Sequence, residues 1–159
     1  MIKLFKKTLL FISVIIIIGC SYEPIYLKKN YNFSIVNIDF IGDEKINSIL
    51  KRQFDNRLQI DLEKKYYLVI NSTKEKKVVS KDSKGDPSQF ELIISTEYWV
   101  YKDANEKNLL ITKLITKKNI YNSISDKFKL EKSEDIVIQN LSEKIADDIT
   151  LSIANINDN

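Results

Sequence analysis

The segment Phe90 to Tyr101, FELIISTEYWVY, alternates in the way of a strand that buries one of its two sides. Successive side chains of a strand point to opposite faces. Phe90, Leu92, Ile94, Tyr98 and Val100 therefore share one face, and Glu91, Ser95, Glu97, Trp99 and Tyr101 share the other. The first set is core. The second is amphipathic and ends in two large aromatics, so any fold must cover one side of this strand and tolerate a mixed surface opposite.

The rest of the chain supplies the partners. Phe33 to Ile41, FSIVNIDFI, is rich in β-branched and aromatic residues and reads as a strand. Gly42-Asp43 closes it, and Asp43 is placed to cap a helix. From about Glu44 to Gln59, Ile46, Ile49, Leu50, Phe54 and Leu58 form a single stripe at helical spacing. A second strand covers about Tyr66 to Thr73 and at its furthest reach includes Val78-Val79; the break SKGDPSQ separates it from the strand at Phe90. After the polar turn KDANEKN a fourth strand runs from about Leu109 to Tyr121. A closing helix from about Ser133 to Ile153 carries Ile138, Leu141, Ile145, Ile149 and Ile153 on one stripe. The order β-α-β-β-β-α predicts an α+β two-layer sandwich, two helices packed on one face of a four-stranded sheet. The other face lacks a cover, and the strand order is left open.

The first twenty residues follow a different logic. Lys3, Lys6 and Lys7 precede an apolar stretch from about Thr8 to Ile18, then Gly19 and the only cysteine, Cys20. This is the layout of an export signal, and the stretch is short of the roughly 20 apolar residues a spanning helix needs. Ile17-Ile18-Gly19-Cys20 resembles a bacterial lipobox. The chemistry requires a thiol there: the sulfur takes an S-diacylglycerol group as a thioether, and the amino group exposed by cleavage takes an N-acyl chain such as palmitate. Two or three chains anchor firmly, at about 0.8 kcal/mol per buried CH₂. The expected organisation is a cleaved signal peptide at 1–19, a lipidated tether at 20–32, one domain at 33–156 and a short tail at 157–159. Ser21 after the cysteine, by resemblance to lipoprotein sorting rules, favours the outer membrane.

Removing the three lysines of residues 1–20 from the 25 Lys+Arg of the whole chain leaves 22 against 22 acids, so the mature part is formally neutral. A nucleic-acid role, which wants a net basic face, loses its support. Catalysis finds little either. The chain has no histidine, which excludes Ser-His-Asp and Cys-His arrangements and mixed Cys/His zinc sites, and no metal or cofactor is expected beyond the acyl groups on Cys20. Its three glycines form no phosphate-cradling loop. The neighbouring acids Glu134-Asp135 and Asp147-Asp148 lie off the apolar stripe and read as a solvated face.

The lipobox followed by CSYEPIY, the β-α-β-β-β-α order, the segment LITKLITKKNIYN with its Tyr121-Asn122 pair, and the closing helix LSEKIADDITLSI with Leu141, Ile145 and Ile149 together resemble the LPS-assembly lipoprotein LptE family in its alphaproteobacterial style. The resemblance spans nearly the whole chain. It implies a non-enzymatic lipoprotein at the periplasmic face of the outer membrane, which plugs and helps assemble the LptD-type β-barrel and binds lipopolysaccharide in transit. Trp99 and Tyr101 would then suit a partner interface, where aromatics are enriched.

If strands two to four run antiparallel in sequence order, the connections after strands two and four emerge at one end of the sheet. The first is expected to hold Lys74, Lys76, Lys77, Lys81 and Lys84, the second Lys127, Lys129 and Lys132. Ammonium groups suit the phosphates of lipid A. The resemblance therefore implies lipopolysaccharide binding by Lys81, Lys84, Lys127, Lys129 and Lys132, with Lys84 and Lys129 nearest the family's basic positions. An accessory lipoprotein of a lipid-transport ABC system is the alternative with the same signal, size and fold class.

Overall fold

The computed structural model describes residues 33–57, 62 and 64–156, which belong to one compact unit. The lipobox with Cys20, the signal, the tether, Leu58 and the tail at 157–159 lie outside the described residues.

The alternation at Phe90 is realised as β3 (Pro87–Tyr101), whose Leu92, Ile94, Thr96, Tyr98 and Val100 are all fully buried. It sits inside a four-stranded sheet in the order β1-β2-β3-β4, formed with β1 (Ser34–Gly42), β2 (Lys65–Lys81) and β4 (Leu109–Asn122). β2, β3 and β4 are successive antiparallel neighbours, while β1 runs parallel to β2. A parallel pair needs a crossover, and α1 (Glu44–Arg57) supplies it. The closing helix is α2 (Lys127–Ala154).

Both helix starts are chemically marked. Oδ1 of Asp43 accepts from the backbone N–H groups of Lys45 and Ile46, each at 3.0 Å, so the expected cap forms. Asp126 does the same for Phe128 and Lys129 at the head of α2. Gly42 turns the chain out of β1 at φ 94°, packed so closely on β2 that a Cβ there would lie 2.0 Å from the Ser72 carbonyl oxygen.

The helices cover one face only. Ile46, Ile49, Leu50 and Phe54 of α1 and Ile138, Leu141, Ile145, Ile149 and Ile153 of α2 close over Tyr66, Leu68, Ile70 and the buried side of β3. Burying each such side chain stabilises the fold by about 1.5–3 kcal/mol. The observed element order and layers are those the sequence predicts. Two boundaries differ. β2 continues eight residues beyond Thr73 because Lys74 to Val78 pair in register with Ile94 to Phe90, so Lys74, Lys76, Lys77 and Lys81 lie on a strand and only Lys84 lies in the turn. α2 starts six residues before Ser133, so Lys127, Lys129 and Lys132 belong to its first two turns and not to a connection. Among the described residues, no helix is long and apolar enough to cross a membrane.

Candidate functional site

Among the described residues two surfaces are left unsatisfied: the sheet face that neither helix covers and the end of the sheet where α2 begins.

The cross-strand register orders the uncovered face into rows. Tyr67 faces Tyr101, and the next row is Asp39, Val69, Trp99 and Thr112. Ile41, Asn71, Glu97 and Leu114 follow. Beyond them come hydroxyls, with Ser95 Oγ 3.1 Å from Thr116 Oγ1 and Thr73 Oγ1 donating to the Ser95 carbonyl. The far rows are charged: Lys118 pairs with Glu91 at 3.0 Å and Lys77 with Glu75 at 3.2 Å. The face is thus graded from aromatic to hydroxyl to ionic. Trp99 and Tyr101 are half-buried among cross-strand neighbours on the aromatic side, while Leu114 is 66% exposed. An apolar side chain that open, beside two amphipathic aromatics, is the composition of a surface suited to a protein partner.

The second surface lies where β2 ends, β3 begins, β4 ends and α2 starts, as the antiparallel order requires. Lys81, Lys84, Lys127, Lys129 and Lys132 all gather at this end, and all are exposed. The hairpin turn is self-contained: Asp82 Oδ1 accepts from the backbone N–H groups of Lys84 and Asp86, each at 2.9 Å, and Gly85 takes φ 88°. It carries Lys81 and Lys84 roughly 10 Å past the level of Tyr121, at about 3.3 Å per residue. Lys129 reaches Asp126 at 3.8 Å.

Inside this end sits a polar knot that the sequence reading missed. Lys76 Nζ donates to Glu134 Oε2 at 2.6 Å, and the Tyr121 hydroxyl donates to the same oxygen at 2.8 Å. The ammonium also stands 4.3 Å above the Phe90 ring. Burial favours the neutral form of Glu134, but the hydrogen bonds from Lys76 and Tyr121 and the charge of Lys76 outweigh it and hold the carboxyl below the usual glutamate range. Burial pushes the Tyr121 hydroxyl up, while for Lys76 burial opposes the charge and Glu134 and Tyr121 more than restore it. Glu134 is therefore not the solvated acid expected of it, whereas Asp148 pairs with Lys117 at 2.6 Å on a surface where its side chain stays exposed, as expected. A signal for the knot was present. The phase of Tyr66, Leu68, Ile70 and Ser72, continued by twos, puts Lys74 and Lys76 on the helix-covered side. Beside the knot is an open cleft of about 280 Å³, with Lys45, Lys74, Lys76 and Lys127 on its walls. Among the described residues no cluster of His, Cys, Asp and Glu could hold a metal ion.

No protein family profile matches the sequence, and no curated protein matches it either. Solved structures do. Rare lipoprotein B from Shewanella oneidensis superposes with a TM-score of 0.55 at 15% identity, over 74% of this chain and 93% of that one. Lipoprotein B from Nitrosomonas europaea gives 0.55 at 16% identity, over 80% and 88%. A minor lipoprotein from Acinetobacter baumannii gives 0.52 at 13%, over 78% and 91%. The described domain has the fold that these lipoproteins share.

Proposed function

We propose that this chain is an outer-membrane lipoprotein of the LptE type, anchored at the periplasmic face through acyl groups on Cys20. In this reading it plugs and helps assemble the LptD-type β-barrel and binds lipopolysaccharide on its way to the cell surface. It performs no catalysis. The observation that supports this most is the sheet with one helix-covered and one open face, in a fold shared along nine-tenths of rare lipoprotein B, behind a lipobox.

Each part of the reading has a physical counterpart. The open face, with Trp99, Tyr101 and Leu114, suits the wet wall of a barrel lumen, because amphipathic aromatics bury area while their polar edges keep partners. The exposed lysines Lys81, Lys84, Lys127, Lys129 and Lys132 offer the ammonium groups that the phosphates of lipid A require. Depleting the protein in its native cell tests the reading. Surface lipopolysaccharide and the level of folded barrel should fall together; unchanged levels of both would contradict it.

A further inference from the structure

In the rows of the open face from Tyr67 and Tyr101 out to Lys77 and Glu91, the charges are settled internally with one exception. Lys118 pairs with Glu91 at 3.0 Å and Lys77 with Glu75 at 3.2 Å, while Asp39, on the edge strand β1, accepts from the Asn37 side-chain amide at 3.0 Å. Glu97 is exposed and has no hydrogen bond or ion pair to any described residue. It stands on the inner strand β3, between Asn71 on β2 and Leu114 on β4, with Trp99 two residues further along the same side. Directly opposed side chains have Cβ atoms about 5 Å apart, and Trp99 lies about 7 Å away along the strand. Lys118, two rows off, is already engaged with Glu91.

A bare carboxylate is ordinary on a surface that stays in water. On one that is to be covered it needs a partner. Ile41, 54% exposed, and Leu114, 66% exposed, share the row of Glu97, so whatever covers them expels the water that now solvates the carboxylate. Desolvating that charge without a cation is strongly unfavourable. The strands of a closed barrel spend their backbone N–H groups on one another, so a barrel wall meets Glu97 with side chains only. We propose that Glu97 is the docking point for a basic side chain of the barrel wall, an arginine by its geometry. The guanidinium fork takes both carboxylate oxygens while its plane lies against the Trp99 indole, and Leu114 shields the pair from solvent. This rests on the reading of the open face as the barrel-facing surface and adds the chemistry that the partner must carry there. Asp39, at the sheet edge and held by Asn37, stays at the rim.

The test uses the full lipidated protein in its native cell, as wild type, as Glu97→Gln and as Glu97→Lys, with detergent-extracted complexes recovered through a tag. Glu97 is exposed and makes no polar contact with a described residue, so the three proteins should melt at the same temperature. The barrel should leave Glu97→Gln at least about thirtyfold faster than the wild type, and should not be recovered with Glu97→Lys. A photoreactive amino acid in place of Leu114 should crosslink to a wall peptide that contains an arginine or lysine, and changing that wall residue to glutamate should restore recovery with Glu97→Lys. Equal recovery and dissociation for all three proteins, or a crosslinked wall peptide without a basic residue, overturns the docking point and leaves the plug reading in place. Absence of a barrel from the wild-type recovery overturns both.

Discussion

Lys76 Nζ and Glu134 Oε2 lie 2.6 Å apart, joining the outer half of β2 to the second turn of α2. The Tyr121 hydroxyl shares that oxygen, so one carboxylate fastens two strands and a helix at the point where the helical cover runs out. It adds to the Lys74–Asp43 ion pair and to the packing of Phe90 on Tyr121 in tying down the sheet beyond Ser72 and Leu92.

The first prediction concerns acid. Since Glu134 titrates below its unfolded value, its contribution is complete above about 4.5 and fades as the pH falls through the folded-state value. At pH 7, Glu134→Gln should cost about 1–2 kcal/mol, the range for a partly exposed charge-assisted bond. Urea unfolding from pH 7 to pH 3 should show the gap between wild type and variant closing in acid. A gap that stays constant would contradict this.

The two glycines of the domain with positive φ should respond differently to alanine. Gly42→Ala places a Cβ 2.0 Å from the Ser72 carbonyl in addition to the left-handed backbone, whereas a Cβ at Gly85 meets nothing within 4 Å. The left-handed conformation alone costs about 1–2 kcal/mol, so Gly85→Ala should lose that much. Gly42→Ala should lose clearly more, and thermal melts of the two variants side by side would decide it.

Core and open face should separate in the same way. Ile145 is fully buried, and Ile145→Ala should cost about 2–5 kcal/mol in denaturant unfolding. Leu114→Asp, at a position 66% exposed, should change stability by less than about 0.5 kcal/mol yet reduce recovery of the proposed barrel partner. A large stability loss at Leu114 would mean that the face is covered by the chain itself.

Cys20→Ser removes the only thiol that can form the thioether. The precursor should stay unlipidated and uncleaved by lipoprotein signal peptidase, visible as a heavier band and loss of labelling by radioactive palmitate. Normal processing would rule out the lipobox.

What the sequence made legible follows from where apolar periodicity was strong. Leu92 to Val100 and Ile138 to Ile153 alternate or repeat against a real core, and both elements stand where the pattern put them. The errors fall where that core ends. Lys74 to Lys81 extend β2 through their pairing with β3; apart from Val78-Val79 they carry no apolar rhythm, so their lysines read as part of a connection. KFKLEK at the head of α2 is held by the Asp126 cap, and its weak stripe hid two turns of helix. Apart from Lys84, which does lie in the turn, the lysines assigned to connections thus sit on regular structure, and the Lys76, Glu134 and Tyr121 contacts, which join residues 58 and 13 positions apart, have no local signature. Parallel pairing of β1 with β2 has no signal in FSIVNIDFI itself; only the helix between the two strands, a crossover of the kind a parallel pair needs, points to it.

The central claim, a lipoprotein plug for a lipopolysaccharide-exporting barrel, is tested most directly by a mild-detergent pull-down of the tagged, lipidated protein from its native envelope, with the co-purifying proteins identified by mass. The account predicts recovery of a large outer-membrane β-barrel of the LptD type, reduced when Leu114 is replaced by Asp. Recovery of an inner-membrane ABC transporter without a barrel would contradict it.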